Sequence, residues 1–330
     1  LRRLSFLVLS VVFFAGAAFS RPPDTTFTYA RVDSLELKLD LYYPQDTVRR
    51  PFPLIVWVHG GGWRGGSRAD TTLALLWRDS GFAVASVDYR LSKQARWPAQ
   101  IHDVKAAVRW LRANADTLKL DTGRVVAWGE SAGAHLAAFL GLTGPADTLE
   151  GDVSLVRYGG VRVDSLGNGL FDTASSAPAH GSHVHAVIDY YGATDFLEYI
   201  PRRWTPWSSV GELLGCGVAK CKERARGASP IAYVDSGDVP FLIVHGTADS
   251  VVPISQSLRF DSALRAAGVP VAFFTVPDGH GGALFTAPET FGRVRAFLDS
   301  TLAPAPVRPE LPPAAAAPGK GKRGFWRRWF

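Results

Sequence analysis

The chain has 330 residues, 47% of them hydrophobic and 20% charged, with ten tryptophans; this excludes a disordered or low-complexity protein and allows one enzyme-sized body with appendages. The formal charge of +6 belongs to the ends: setting aside Arg2, Arg3, Lys320, Lys322, Arg323, Arg327 and Arg328 leaves −1 for residues 21–318, which removes the electrostatic case for nucleic-acid binding by the body. Cys216 and Cys221 can close a short ring in an oxidising compartment but supply too few ligands for zinc. At the start of the chain, Arg2 and Arg3 precede an apolar run from Leu4 to Phe14 and the small residues Ala15 to Ala18. That pattern predicts a signal peptide over 1–20, its apolar stretch short of the roughly 20 residues that span a bilayer, and hence export to the periplasm or beyond. Leu35, Leu37, Leu39 and Leu41 alternate with Glu36, Lys38 and Asp40, the period of a half-buried strand in an opening antiparallel hairpin. Continuous apolar runs at 54–58, 82–87, 124–128, 186–190, 241–244 and 271–276 then read as strands buried on both faces of a parallel sheet. Between them, 99–112 repeats Ile101, Val104, Val108 and Leu111 at helical spacing, with Asp103, Lys105, Arg109 and Arg112 at the intervening positions.

The alternation of strand and helix over 21–302 predicts an α/β fold, a mostly parallel central sheet with helices on both faces and functional residues just after the strands. Residues 191–230 break the rhythm and read as a small cap insertion. Beyond 302 the chain turns Pro- and Ala-rich, a linker composition, and ends in a basic aromatic stretch, 319–330, suited to weak contact with a membrane or envelope surface.

Gly129-Glu130-Ser131-Ala132-Gly133 follows the strand at 124–128 and precedes a helical run. This is the strand, turn and helix context in which a G-x-S-x-G sequence projects a serine as nucleophile. A hydroxyl needs a base, and the base an orienting acid. Asp249 follows the strand FLIV and His280 follows VAFFTV, in the order serine, acid, histidine. Asp195, Asp235 and Asp238 are less suitable acids, one in the cap and two ahead of the strand. His135 belongs to the helix after the serine; His59, His102 and His245 read as structural; His180, His183 and His185 read as solvated or packing residues rather than metal ligands. His59-Gly60-Gly61-Gly62-Trp63 after the first parallel strand offers unobstructed amides, so Gly61, Gly62 and Ala132 are the expected oxyanion donors. Trp63, Glu130, Tyr199, Trp204 and Trp207 are candidates to line the substrate pocket.

The stretches HGGGWRGGS, FAVASVDYRLS, WPAQIHDVKAAVRWLRANA, GESAGAHLA, DYYGATDF, ASPIAYV and HGTADSVVP occur in this order across roughly residues 30–300. In them the chain resembles the esterase/lipase branch of the α/β-hydrolases, especially the bacterial feruloyl and acetyl-xylan esterase-like group (BD-FAE, related to hormone-sensitive lipase). The resemblance implies hydrolysis of carboxylic esters, small or glycan-linked, through a serine acyl-enzyme without metal or organic cofactor. Cys216 and Cys221, the long 157–183 segment and the tail depart from that pattern. A serine exopeptidase similar to the prolyl oligopeptidase group, or an inactive binding protein on the same fold, are the competing readings.

Overall fold

Two kinds of strand sequence build the main sheet. Alternating residues form β1 (Thr25–Val32) and β2 (Leu35–Tyr42), an antiparallel pair in the register Thr26 to Asp40 and Thr28 to Lys38. Apolar runs form β3 (Phe52–Val58), β4 (Ala83–Val87) and β5 (Leu120–Glu130). The first two are separated by α1 (Thr72–Leu75); α2 (Ala99–Ala113) and α3 (Ala115–Leu118) precede the third, and α4 (Ala132–Leu142) follows it. A small antiparallel hairpin, β6 (Val156–Val163) and β7 (Gly169–Thr173), stands apart from the main sheet. The chain then runs through β8 (Ala186–Tyr190), α5 (Ser209–Leu214), α6 (Lys222–Gly227), β9 (Phe241–Gly246), α7 (Ser255–Ala266), β10 (Val271–Val276) and α8 (Pro288–Thr301). This computed structural model describes residues 22–45, 50–144, 147–163, 169–173, 181–198 and 208–302. The stretch 1–20 expected to be a signal peptide, the stretch 303–330 expected to be a linker and tail, His180, and the pocket candidates Tyr199, Trp204 and Trp207 lie outside the described residues.

The sheet order is β1-β2-β4-β3-β5-β8-β9-β10; β2 meets β1 and β4 antiparallel, and every later pairing is parallel. Strand alternation divides the core in two. Leu54, Val56 and Val58 of β3 face one layer, with Ile101 and Val108 of α2 and Leu136 of α4, while Ile55 and Trp57 face the other, with Val294 and Leu298 of α8. Among the described residues no helix is long and apolar enough to cross a membrane.

Two expectations need correction. The run 271–276 is not buried on both faces: β10 ends the sheet, Ala272 and Thr275 are exposed, and only Val276 is buried. At the edge both faces are only partly covered, Val271 and Phe273 packing against one layer and Phe274 and Val276 against the other, and hydrophobicity alone does not reveal how far a layer reaches. Nor do the charges of α2 mark a solvent face, since Asp103, Lys105 and Arg109 are buried. Arg90 clasps Asp103 (Nη2 to Oδ1 2.7 Å). Lys105 and Arg109 share the carboxylate of Glu150 at 2.8 and 2.7 Å, and Ser182 donates to the same group at 2.6 Å. Buried charges persist only when so paired.

The described parts of 191–230 pack into the core on the α2 and α4 side through Phe196, Val210, Leu213, Leu214 and Ala228. Cys216 and Cys221 are joined in a disulfide just after α5.

Candidate active site

Ser131 ends β5 and opens α4 with φ 52° and ψ −118°, a turn that aims its side chain away from both elements. Neighbouring backbone comes so close that side chains are excluded beside it. A Cβ on Gly133 would lie 2.0 Å from the carbonyl oxygen of Val58, and one on Gly129 would lie 2.3 Å from the backbone of Gly133. The Ser131 amide donates to the carbonyl of Tyr190 at 2.9 Å, which ties the turn to β8.

The three residues expected to act together meet. The Ser131 hydroxyl is 2.9 Å from His280 Nε2, and His280 Nδ1 is 2.7 Å from Asp249 Oδ2. A carboxylate only accepts, so Nδ1 carries the hydrogen and Nε2 is free to accept from the hydroxyl. Asp249 is fully buried at its side chain, and its other oxygen accepts the amides of Val251 and Val252 at 2.8 and 2.9 Å. Burial opposes its ionisation, but hydrogen bonds from His245 and His280 and the Val251 amide prevail and hold it well below the usual carboxylate range. The loops bearing acid and base touch: a Cβ on Gly246 would lie 2.1 Å from the carbonyl oxygen of Gly279. The rival acids are elsewhere, Asp195 paired with Arg259 at 2.8 Å and Asp238 accepting the Asp235 amide.

His245 has a larger part than its structural reading suggests. Its Nε2 donates to the carbonyl of Val252 at 3.0 Å and Nδ1 accepts from Ser257 at 2.7 Å. The same Nε2 sits 3.4 Å from Asp249 Oδ2, so the imidazole backs the acid loop from behind.

Above Ser131 lies the glycine run. Gly61, Gly62 and Trp63 have φ of 103°, 61° and 58°, three successive left-handed residues. A Cβ on Gly61 would meet the carbonyl of Gly65 at 2.3 Å, so the first position admits only glycine. His59 donates from Nδ1 to the carbonyl of Gly60 at 2.8 Å and stacks on Tyr89, as befits a structural histidine. His102, on α2, is half-buried. Among the described residues no three potential metal ligands converge; His183 and His185 pack edge-on at 5.6 Å, and His185 Nδ1 accepts the Val125 amide.

A cavity of about 520 Å³ opens over Ser131 and His280. Gly61, Gly62, Trp63 and Ala132 form one side, Leu73, Val251 and Phe285 an apolar side, and Ser209 of the cap leans in at the top. Glu130 also reaches it, half-buried, accepting from the Tyr191 hydroxyl at 3.0 Å. Burial raises its pKa, with the Tyr191 bond and nearby His280 pulling the other way. Tyr191, itself at φ 48°, lays its ring 4.7 Å from that of His280. Sequence reasoning passed over Tyr191, Leu73, Val251, Phe285 and Ser209. Only Tyr191 left a signal, standing directly after a parallel strand.

The sequence profile of the BD-FAE family matches residues 39–264. Esterase LipC of Mycobacterium tuberculosis is 33% identical over 259 residues, covering 76% of this chain and 58% of its own. Esterase LipQ of the same organism is 30% identical over 243 residues, covering 70% and 50%; the chain thus spans little more than half the length of these curated relatives. Among solved structures, a truncated carbohydrate esterase from gut microbiota aligns with TM-score 0.70 at 28% identity, over 86% of this chain and 100% of that one. A thermophilic esterase of the Planctomycetes species Thermogutta terrifontis aligns with TM-score 0.62 at 26% identity, over 86% and 96%, and is also known phosphonylated by sarin and phosphoramylated by tabun. With the profile match running from β2 through most of α7, more than half of the chain, the chain belongs to the BD-FAE family, on an α/β-hydrolase fold.

Proposed function

We propose that the protein is a serine carboxylesterase in which Ser131 attacks the ester carbonyl, His280 moves the proton and Asp249 orients the imidazole. The observation that carries this reading is the hydrogen-bonded series from Ser131 through His280 to Asp249 on the floor of a cavity. As the Ser131 oxygen bonds to the carbonyl carbon, its proton passes to His280 Nε2. The imidazolium is stabilised by Asp249 and then protonates the departing alcohol. Water enters, gives its proton to the same nitrogen, and releases the acid by the reverse steps.

Negative charge builds on the carbonyl oxygen in both halves. Gly61, Gly62 and Ala132 line the cavity beside Ser131 and their amides are the proposed donors; losing one typically costs about 2.7–4 kcal/mol of barrier. The ester is a small molecule or a glycan substituent, a reading supported by the carbohydrate esterase among the structural neighbours and by the open mouth beside Val251. Export to an oxidising compartment belongs to the same reading, and the Cys216–Cys221 bond supports it.

The test is hydrolysis of p-nitrophenyl esters beside aminoacyl anilides, with wild type and Ser131→Ala. Ester turnover that falls about 10⁴-fold or more in the variant, with little anilide turnover, is the expected result. Equal turnover by both proteins, or preference for the anilide, would overturn the assignment.

A further inference from the structure

His135 takes no part in the proton transfers, yet it is wholly buried and bonded to Trp63 of the glycine run on one side and to Ala228 on the other. Its Nε2 lies 2.8 Å from the carbonyl oxygen of Ala228, in the segment that follows α6. A carbonyl cannot donate, so Nε2 carries the hydrogen and Nδ1 presents a lone pair. The Trp63 indole nitrogen donates to that lone pair at 3.3 Å. The imidazole also stacks on Phe196 at 5.0 Å and meets Trp63 and Trp97 edge-on at 5.0 and 5.4 Å. With both nitrogens committed to neutral partners and the pKa pushed down to about 4 by burial, the ring has no proton to exchange near neutrality.

Trp63 needs such a hold. It is a bulky residue at φ 58°, directly after Gly61 and Gly62, which line the cavity. Strained left-handed backbone at a large side chain persists only when the surroundings over-determine it. The indole is its longest lever, buried against His135 and Phe196 and hydrogen-bonded only to His135. A leucine or phenylalanine at 135 could fill the volume; neither could accept from the indole while donating to Ala228.

We propose that His135 is a positioning residue for the oxyanion amides, fixing Trp63, and through it Gly61 and Gly62, while the Ala228 carbonyl fixes His135. This rests on the serine-esterase reading above.

The two bonds can be cut separately. An asparagine places its side-chain oxygen near the position of Nδ1 and keeps the acceptor for Trp63; a glutamine places its amide nitrogen near Nε2 and keeps only the donor to Ala228. His135→Asn is expected to hold kcat within about threefold of wild type. His135→Gln and Trp63→Phe are each expected to lower kcat on the order of 10- to 100-fold with KM changed less than about threefold, the signature of lost transition-state binding. Because both cut the same bond, the double variant should be no slower than the slower single. Thermal unfolding of each variant shows that it is folded at the assay temperature. If His135→Gln does not fold, Trp63→Phe, which keeps an aromatic ring, decides alone. Wild-type kcat in Trp63→Phe, a loss confined to KM, or an equal loss in His135→Asn and His135→Gln would overturn the proposal. A wild-type protein without Ser131-dependent esterase activity would instead sink the parent reading.

Discussion

Ser131 can hold its turn only because the chain beside it carries no side chains. At Gly133 the obstacle to a methyl group is the Val58 carbonyl of β3, a backbone atom inside a sheet with nowhere to move. Gly133→Ala is therefore expected to lose more than about 4 kcal/mol or fail to fold, read by urea unfolding. Asp249 sits at the other end of the series. An asparagine there keeps the shape but turns an amide toward His280 Nδ1, favouring the tautomer whose Nε2 carries the hydrogen and cannot accept from Ser131. Asp249→Asn should cut kcat by about 10⁴ while still binding substrate, checked by ester turnover and KM. The meeting of Ser131, His280 and Asp249 was legible at this scale because each stands just after a strand, in the chain order expected. The roles of His135 and His245 were not, since their partners Trp63, Ala228 and Asp249 become neighbours only when loops fold over one another.

The elements were legible where one stripe or one run of apolar residues does the packing, and misleading where an element is covered twice. On α2 the apolar stripe was clear, but the charges between its members lie under the segment around Glu150, 45 residues beyond Lys105 and 41 beyond Arg109. No local pattern announces a partner at that distance. The group is two cations on one carboxylate, so removing the carboxylate leaves both buried and uncompensated. Glu150→Gln is expected to destabilise the fold by about 3–5 kcal/mol, measured by urea unfolding. A lesser loss for Lys105→Met is expected, because that change removes a buried charge along with its bond. On α8 the situation reverses: Gly292 is exposed in mid-helix and a Cβ there meets nothing. Gly292→Ala should stabilise by about 0.5–1 kcal/mol without touching activity.

Over the whole molecule, one arrangement decides where chemistry can happen. The glycine run, Ser131, Tyr191, Asp249 and His280 follow β3, β5, β8, β9 and β10, so the carboxyl ends of parallel strands deliver them to one edge of the sheet. The parallel direction of most strands was readable from apolar runs, but the order of the strands and the pocket wall, drawn from α1, the 251–252 turn, the 285 region and α5, were not. Gathering so many groups at one edge also buries carboxylates there, and global stability registers them with opposite signs. Asp189, at the end of β8, is wholly buried; one oxygen accepts the Gly192 amide at 2.7 Å and the other has no hydrogen-bond partner among the described residues. Burial raises its pKa from 3.8 to about 6, against the pull of the Gly192 amide and His245. A carboxyl raised in the folded state supports folding fully below its unfolded value and loses that support as pH climbs through about 6, a change of roughly 3 kcal/mol at 1.36 kcal/mol per unit. Asp249, held low when folded, works the other way: its contribution is present above the unfolded value and is lost on acidification. Wild type therefore has two slopes of opposite sign in adjacent windows, a rise with pH below the unfolded carboxylate value from Asp249 and a fall between that value and about 6 from Asp189. Asp189→Asn removes only the falling one, so its urea midpoint should gain on that of wild type between pH 4 and about 6 and hold the gain at pH 8. A gap between the two proteins that stayed constant from pH 4 to 8 would mean that Asp189 titrates alike in the folded and unfolded chains.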